Sequence, residues 1–185
     1  MERFLLENPR LPLIVLVILT ASDLFLARFL RKSGLFKQQE YFEYEEDEYP
    51  GPSVGGVAYF AFILLRISPV FLVLLLWAVA VTSRSPVSVW CYQAILGFSL
   101  FLFLIINLRH LETVLTDLLT RLRRDDISGK LKFGKGYSLG YSGIRLFTLF
   151  VILAVIAVLR FEAFYIGAAA APLSLIIRNL VLINR

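Results

Sequence analysis

The residues of this chain that could do chemistry are few, and the most informative is a carboxylate in the wrong solvent. Asp23 stands in the middle of an apolar run from Leu11 to Leu30. A charge at the centre of a bilayer costs about 2.5 kcal/mol or more on insertion scales, so Asp23 must face protein, water or a partner. Counted inward at 1.5 Å per residue, Asp23 lies roughly 18 Å below one surface, and Arg178, in the run Ala163 to Ile183, lies roughly 22 Å below the same surface. Thr20 and Ala27 share a face with Asp23, and Gly167, Ala171 and Ser174 share one with Arg178. Small residues let helices approach closely in lipid. The expectation is that the first and last spans pack together through an Asp23–Arg178 pair. Such a pair would fix helix register ahead of any role in an ion or proton path, while Arg178 alone could snorkel to the headgroups. Arg66, Asn107, Arg109 and His110 are the further polar groups that would line a path with Asp23. His110 is the only histidine and could titrate near neutral pH. Beside Asn107, Arg109 and Glu112, where an apolar run ends, it reads first as an interfacial anchor.

Two motifs look chemical and fail on inspection. Gly129-Lys130-Leu131-Lys132-Phe133-Gly134-Lys135-Gly136 approaches a phosphate-binding P-loop, but Gly136 replaces the Mg²⁺-binding Ser/Thr and no strand precedes it. Lys130, Lys132 and Lys135 could still attract a phosphate or an anionic headgroup, although a plain surface loop is the simpler reading. Gly140-Tyr141-Ser142-Gly143 resembles the G-x-S-G around the nucleophile of intramembrane serine proteases. The resemblance covers four residues and implies a histidine on a neighbouring span, whereas His110 falls on a cytoplasmic extension. A helix cap suits Ser142 better. One Cys and one His cannot build a metal site, and no cofactor is implied. A buried free thiol is the reading for Cys91. Enzymatic function ranks last.

The elements that must position these groups follow from composition. The 185 residues are 58% hydrophobic and 18% charged, with mean hydropathy +0.76, where a soluble domain would be about 25% charged. The apolar residues fall in runs approaching the roughly 20 residues that a span requires. An all-α polytopic bundle in one membrane domain follows, with five spans near 11–30, 67–81, 87–106, 144–159 and 163–183. The first run is longer than a signal-peptide core and lacks a cleavage site, so it reads as an uncleaved span. Ser68 as N-cap and Pro69 at the first helical position favour a short interfacial or re-entrant helix over Val54–Leu65 before the second span. One long kinked helix from Val57 to Val81 is the alternative. Beyond the third span the helix should continue, because Leu108, Leu111, Leu115, Leu118 and Leu122 recur at helical spacing as a face for a partner helix.

One side would carry thirteen Lys or Arg residues, ten in the loops 31–53 and 107–142 together with Arg28, Arg145 and Arg185, against Arg3, Arg10, Arg84 and Arg160 on the other, with Arg66 and Arg178 left out as intramembrane or ambiguous. Positive charge stays in the cytoplasm, which puts the amino terminus outside and the carboxyl terminus inside, in the cell inner membrane. Trp77, Trp90, Tyr92 and Tyr165 fall near the outer boundary as an aromatic belt would. The acidic segment Glu40–Tyr49 and the basic segment Lys130–Tyr137 should therefore share the cytoplasmic side and dock, as short strands of complementary charge. The functional expectation is an interaction or scaffold subunit. Its partners would be membrane lipids and either a second copy or another membrane protein, with no nucleic acid. The alternative is a channel or carrier with Asp23, Arg66 and Arg178 along a polar path.

Overall fold

The computed structural model describes residues 8–32, 42–44, 56–122, 131–133 and 135–183. Five helices account for nearly all of them: α1 (Arg10–Lys32), α2 (Gly56–Ser83), α3 (Pro86–Leu122), α4 (Lys135–Arg160) and α5 (Ala163–Ile183). Each contains a stretch of at least 20 residues long and apolar enough to cross a membrane. The chain is a multi-pass membrane helical bundle. Its surface is accordingly apolar: Leu11, Phe25, Leu65, Phe71, Val87, Phe147, Val158 and Leu180 are all more than half exposed, as side chains that face lipid should be.

Helix α3 is the central element. It packs against α1 and α2 on one side and against α5 on the other, and α4 lies chiefly on α5. Leu16, Val73, Ala80, Tyr92, Leu96 and Phe103 form the core between α1, α2 and α3. Ile105, Leu146, Ala171 and Leu175 form the core between α3, α4 and α5. The crossing of α3 and α5 is the closest. A Cβ on Gly97 would collide with the Phe164 carbonyl, and one on Gly167 would collide with the Ala94 carbonyl. Each glycine admits the other helix's backbone, the general use of small residues where no water can be squeezed out. Gly167 and Ala171, expected to meet the first span, thus meet α3. The small face on α5 was legible, but its partner is the helix that carries a matching gap at Gly97.

The second span also differs from the expected arrangement. In place of a re-entrant helix and a separate span, α2 is one helix with Pro69 inside it. Proline lacks the N–H that would bond the carbonyl four residues back, here that of Leu65. The Ser68 hydroxyl donates to that carbonyl at 2.9 Å and supplies the missing bond from within the helix. Ser68 is therefore a repair and not a cap. Helix α4 begins at Lys135, nine residues before the expected span, so Ser142 lies inside it and caps nothing. Tyr92 is fully buried in the core rather than part of an aromatic belt, while Trp90 is about half exposed.

Turns between helices are short. Arg84 and Phe161 take left-handed backbone conformations (φ 49° and 48°), and their N–H groups bond back to Ala80 and Ala157 at 3.0 and 2.8 Å. This ends α2 and α4 as a C-terminal cap does. Phe42–Tyr44 (β1) and Leu131–Phe133 (β2) run parallel, with Glu43 in register with Lys132. At three residues each they add no layer to an all-α architecture.

Replacing Gly167 by Val should lower stability by about 3 kcal/mol, the range of severe overpacking, and Gly97→Val should do the same. Gly140, where an added Cβ meets nothing within 4 Å, should accept Ala with a gain of about 0.5 kcal/mol from helix propensity. Thermal unfolding in detergent distinguishes the three. In the same assay Ser68→Ala should cost about 1 kcal/mol, the value of one hydrogen bond whose acceptor is left in lipid.

Candidate functional site

Three helices bring ionisable side chains to one point. On α1, Leu16, Thr20 and Asp23 lie on one buried stripe at helical spacing, with exposures of 0%, 5% and 0%. On α3, Phe103, Asn107 and His110 recur at intervals of four and three and face that stripe. On α2, Arg66 stands one turn before Pro69, inside the apolar stretch Ile63–Ser83. The Asp23 carboxylate receives both a guanidinium and an imidazole. Arg66 Nη1 donates to its Oδ2, and His110 Nε2 lies 3.2 Å from its Oδ1.

Each contact has a definite chemical sense. An ionised carboxylate only accepts, so His110 holds its proton on Nε2, either as that neutral tautomer or as imidazolium. With neutral His110 the group of three carries no net charge. With imidazolium it carries one positive charge. Asp23 is fully buried, whereas the Arg66 and His110 side chains retain 24% and 20% exposure. The carboxylate is thus sealed in while its partners reach the periphery. A buried charge is tolerated only when paired and hydrogen-bonded, and here both oxygens are occupied.

Asn107 extends the polar group along α3. Its Nδ2 donates to the Leu19 carbonyl of α1 at 2.9 Å and to the Phe103 carbonyl of its own helix at 2.8 Å. That uses both amide protons and ties α1 to α3 one turn from Asp23. The Oδ1 of Asn107 is buried and accepts no hydrogen bond among the described residues. A buried acceptor without a donor is costly and marks a place where a water or another donor would be favoured.

The Asp23–Arg178 pairing expected from depth is not what the structure contains. Arg178 Nη2 lies 3.5 Å from Asn179 Oδ1 on α5, and α3 stands between α1 and α5. Matching depths along two helices says nothing about which helices are neighbours. The sequence signal for Arg66 was present: if 57–81 is one helix, Arg66 is a cation within an apolar run, as Asp23 is an anion within one. Arg109 does not reach the carboxylate. Its carbonyl accepts from Thr113 at 3.0 Å, and its side chain is half-buried.

A second contact links α3 to α4 beyond the cluster. Arg145 pairs with Glu112, donates to the Tyr141 hydroxyl at 2.8 Å and lies over the Tyr141 ring at 4.6 Å. Both members of the pair are about half exposed, so it contributes at most about 1 kcal/mol. Leu108, Leu111, Leu115 and Leu118 are 46–53% exposed among the described residues. Nothing is described of the Leu122 side chain. Lys130 lies outside the described residues, Lys132 is in β2 and Lys135 opens α4. Among the described residues no group of three or more His, Cys, Asp or Glu side chains gathers. Comparison with known proteins finds no matching family model, no similar curated protein and no similar solved structure.

Proposed function

We propose that the chain is a channel or carrier for an ion or small solute, with its polar path running past Asp23, Arg66, His110 and Asn107. The observation that carries this reading is the convergence of a carboxylate, a guanidinium and an imidazole, from three separate helices, on a point buried in an apolar bundle. A register-fixing anchor requires one counter-charge. The imidazole adds a second hydrogen-bonding group on the carboxylate, and the Asn107 Oδ1, unsatisfied among the described residues, adds an acceptor for a passing donor. Intramembrane ionisable residues of this kind mark ion pathways and proton relays. By the count of positive charges, the amino terminus lies outside and the carboxyl terminus inside, in the cell inner membrane. The cluster then opens toward the cytoplasm, where α3 leaves the bilayer.

The test separates transport from architecture. Purified chain in liposomes should pass at least one of proton, Na⁺, K⁺, Cl⁻ or a small neutral solute faster than protein-free vesicles. Asp23→Asn should lower that flux by about tenfold, equivalent to losing one charge-assisted hydrogen bond. Arg66→Met alone leaves a buried anion short of its counter-charge and should cost about 3 kcal/mol of stability. The double variant Asp23→Asn/Arg66→Met should recover that stability while flux stays low. Vesicles no leakier than protein-free ones to all five probes, or full flux in the double variant, would remove the proposal.

A second reading, an interaction subunit, is favoured by the exposed leucine row on α3. Replacing Leu111 and Leu115 by Glu should leave the fold intact and abolish self-association or co-purification of a stoichiometric membrane partner. A wild-type chain that is monomeric and partner-free by light scattering after mild extraction would exclude it.

A further inference from the structure

The charge balance of the Asp23 cluster and the kind of polar atom beside it bear on which solutes can pass. Arg66 and Asp23 cancel, and His110 adds either nothing or one positive charge. In neither state does the cluster carry the net negative charge that a cation requires on leaving water for a low-dielectric bundle. Two residues beyond His110 on α3, the Glu112 carboxylate is already paired with Arg145 and is about half exposed.

Two neutral oxygens beside the cluster accept hydrogen bonds and have no proton to give. Asn107 is 8% exposed. Its Nδ2 must be the atom that faces the Leu19 and Phe103 carbonyls, because an oxygen there would meet two acceptors. The Oδ1 is the atom left over, buried and accepting no hydrogen bond among the described residues. On α1, one turn before Asp23, the Thr20 hydroxyl spends its proton on the Leu16 carbonyl at 2.8 Å. Only lone pairs remain on that oxygen, and Thr20 is 5% exposed. An anion would meet these lone pairs, and at Arg66 it would stand beside the like charge of Asp23.

A balanced or positive cluster thus disfavours cations, and unfilled acceptors disfavour anions. An uncharged molecule that donates hydrogen bonds meets neither obstacle. We infer, on the transport reading, that the path past Asp23 carries a small neutral hydrogen-bond donor of the amide or polyol class, with Asn107 Oδ1 as its acceptor inside the bundle. Such a solute satisfies the buried oxygen as it passes and needs no counter-charge. The Arg66–Asp23 pair then serves selectivity, since fixed charges that are already compensated offer an ion nothing in exchange for its water.

The experiment compares solutes in vesicles that hold the full chain. Entry of urea and of glycerol is followed by stopped-flow light scattering, and entry of Na⁺, K⁺, Cl⁻ and protons by entrapped fluorescent indicators. Wild-type vesicles should admit urea or glycerol about tenfold faster than protein-free vesicles, the effect of one buried hydrogen bond, and the four ions no faster. Asn107→Leu keeps the side-chain volume and removes the acceptor. It should return urea and glycerol entry to near the protein-free rate, with the unfolding temperature showing whether the bundle survives. Should that variant not fold, the wild-type selectivity decides alone. Any ion accelerated as much as urea or glycerol would overturn the inference and leave transport standing. Undiminished urea or glycerol entry in folded Asn107→Leu would overturn it too. Vesicles tight to all six solutes would end the transport reading and this inference with it.

Discussion

Lipid cannot solvate a charge, and Asp23 is a charge that the rest of the bundle must solvate. Its two carboxylate oxygens take their hydrogen bonds from α2 and from α3, so three helices separated widely in sequence are bound to one another at a single point. The cost of exposing the carboxylate to hydrocarbon is several kcal/mol. That is large beside the dispersion contacts by which apolar helices associate in lipid, where no hydrophobic driving force exists. The ion cluster therefore selects which faces of α1, α2 and α3 meet. The surrounding apolar core, from Leu16 to Phe103, fills the space that this selection leaves. The Asn107 bridge to the Leu19 carbonyl holds the same pair of helices one turn away, in a register that leaves Asp23 level with His110.

The other half of the bundle is held by different physics. No ion pair joins α3 to α5 among the described residues. Their backbones instead come together because Gly97 and Gly167 offer no side chain at the crossing. Helix α3 thus carries two kinds of interface, a polar one toward α1 and α2 and a close-packed one toward α5. Along its length of 37 residues it also meets α4, against which the Glu112–Arg145 contact braces it, while Leu108, Leu111, Leu115 and Leu118 stay about half exposed.

Much of this architecture was legible because it depends on hydropathy and length, which sequence states directly. All five expected spans overlap the apolar helices, and the continuation of α3 past Ile106 to Leu122 follows from the spacing of Leu108, Leu111, Leu115 and Leu118. What sequence did not give was adjacency. Asp23 was recognisable as a group needing a cation, and both Arg66 and His110 were recognisable as polar groups that could stand near it. Depth along the helix axis points equally to Arg178, because depth carries no information about which helices are neighbours. Ser68-Pro69 is the usual signature of a helix start, and placing a break there moved Arg66 to a boundary. In lipid the same dipeptide can sit mid-helix, since the serine hydroxyl supplies the bond that the proline withholds. The glycine pair was half legible. Gly167 belonged to a visible run of small residues, whereas Gly97 sits alone among large side chains and gains meaning only from the carbonyl opposite.

The composition of the cluster bears on why it exists. Had the requirement been only to seat one carboxylate, Arg66 alone would neutralise it, since a guanidinium offers five donors and a permanent charge. His110 is redundant for neutrality, yet its Nε2 occupies the second carboxylate oxygen. When it is neutral, the cluster balances. With imidazolium, the same three side chains would hold a surplus positive charge around a fully buried carboxylate, where electrostatic interactions are strong. A cluster that holds an imidazole beyond what neutrality requires, beside a buried Asn107 oxygen that accepts no donor among the described residues, has more polar groups than a static anchor needs. A static anchor is better served by a second arginine or by no second cation at all. That distinction, rather than the presence of charge in the membrane, is what favours passage over architecture.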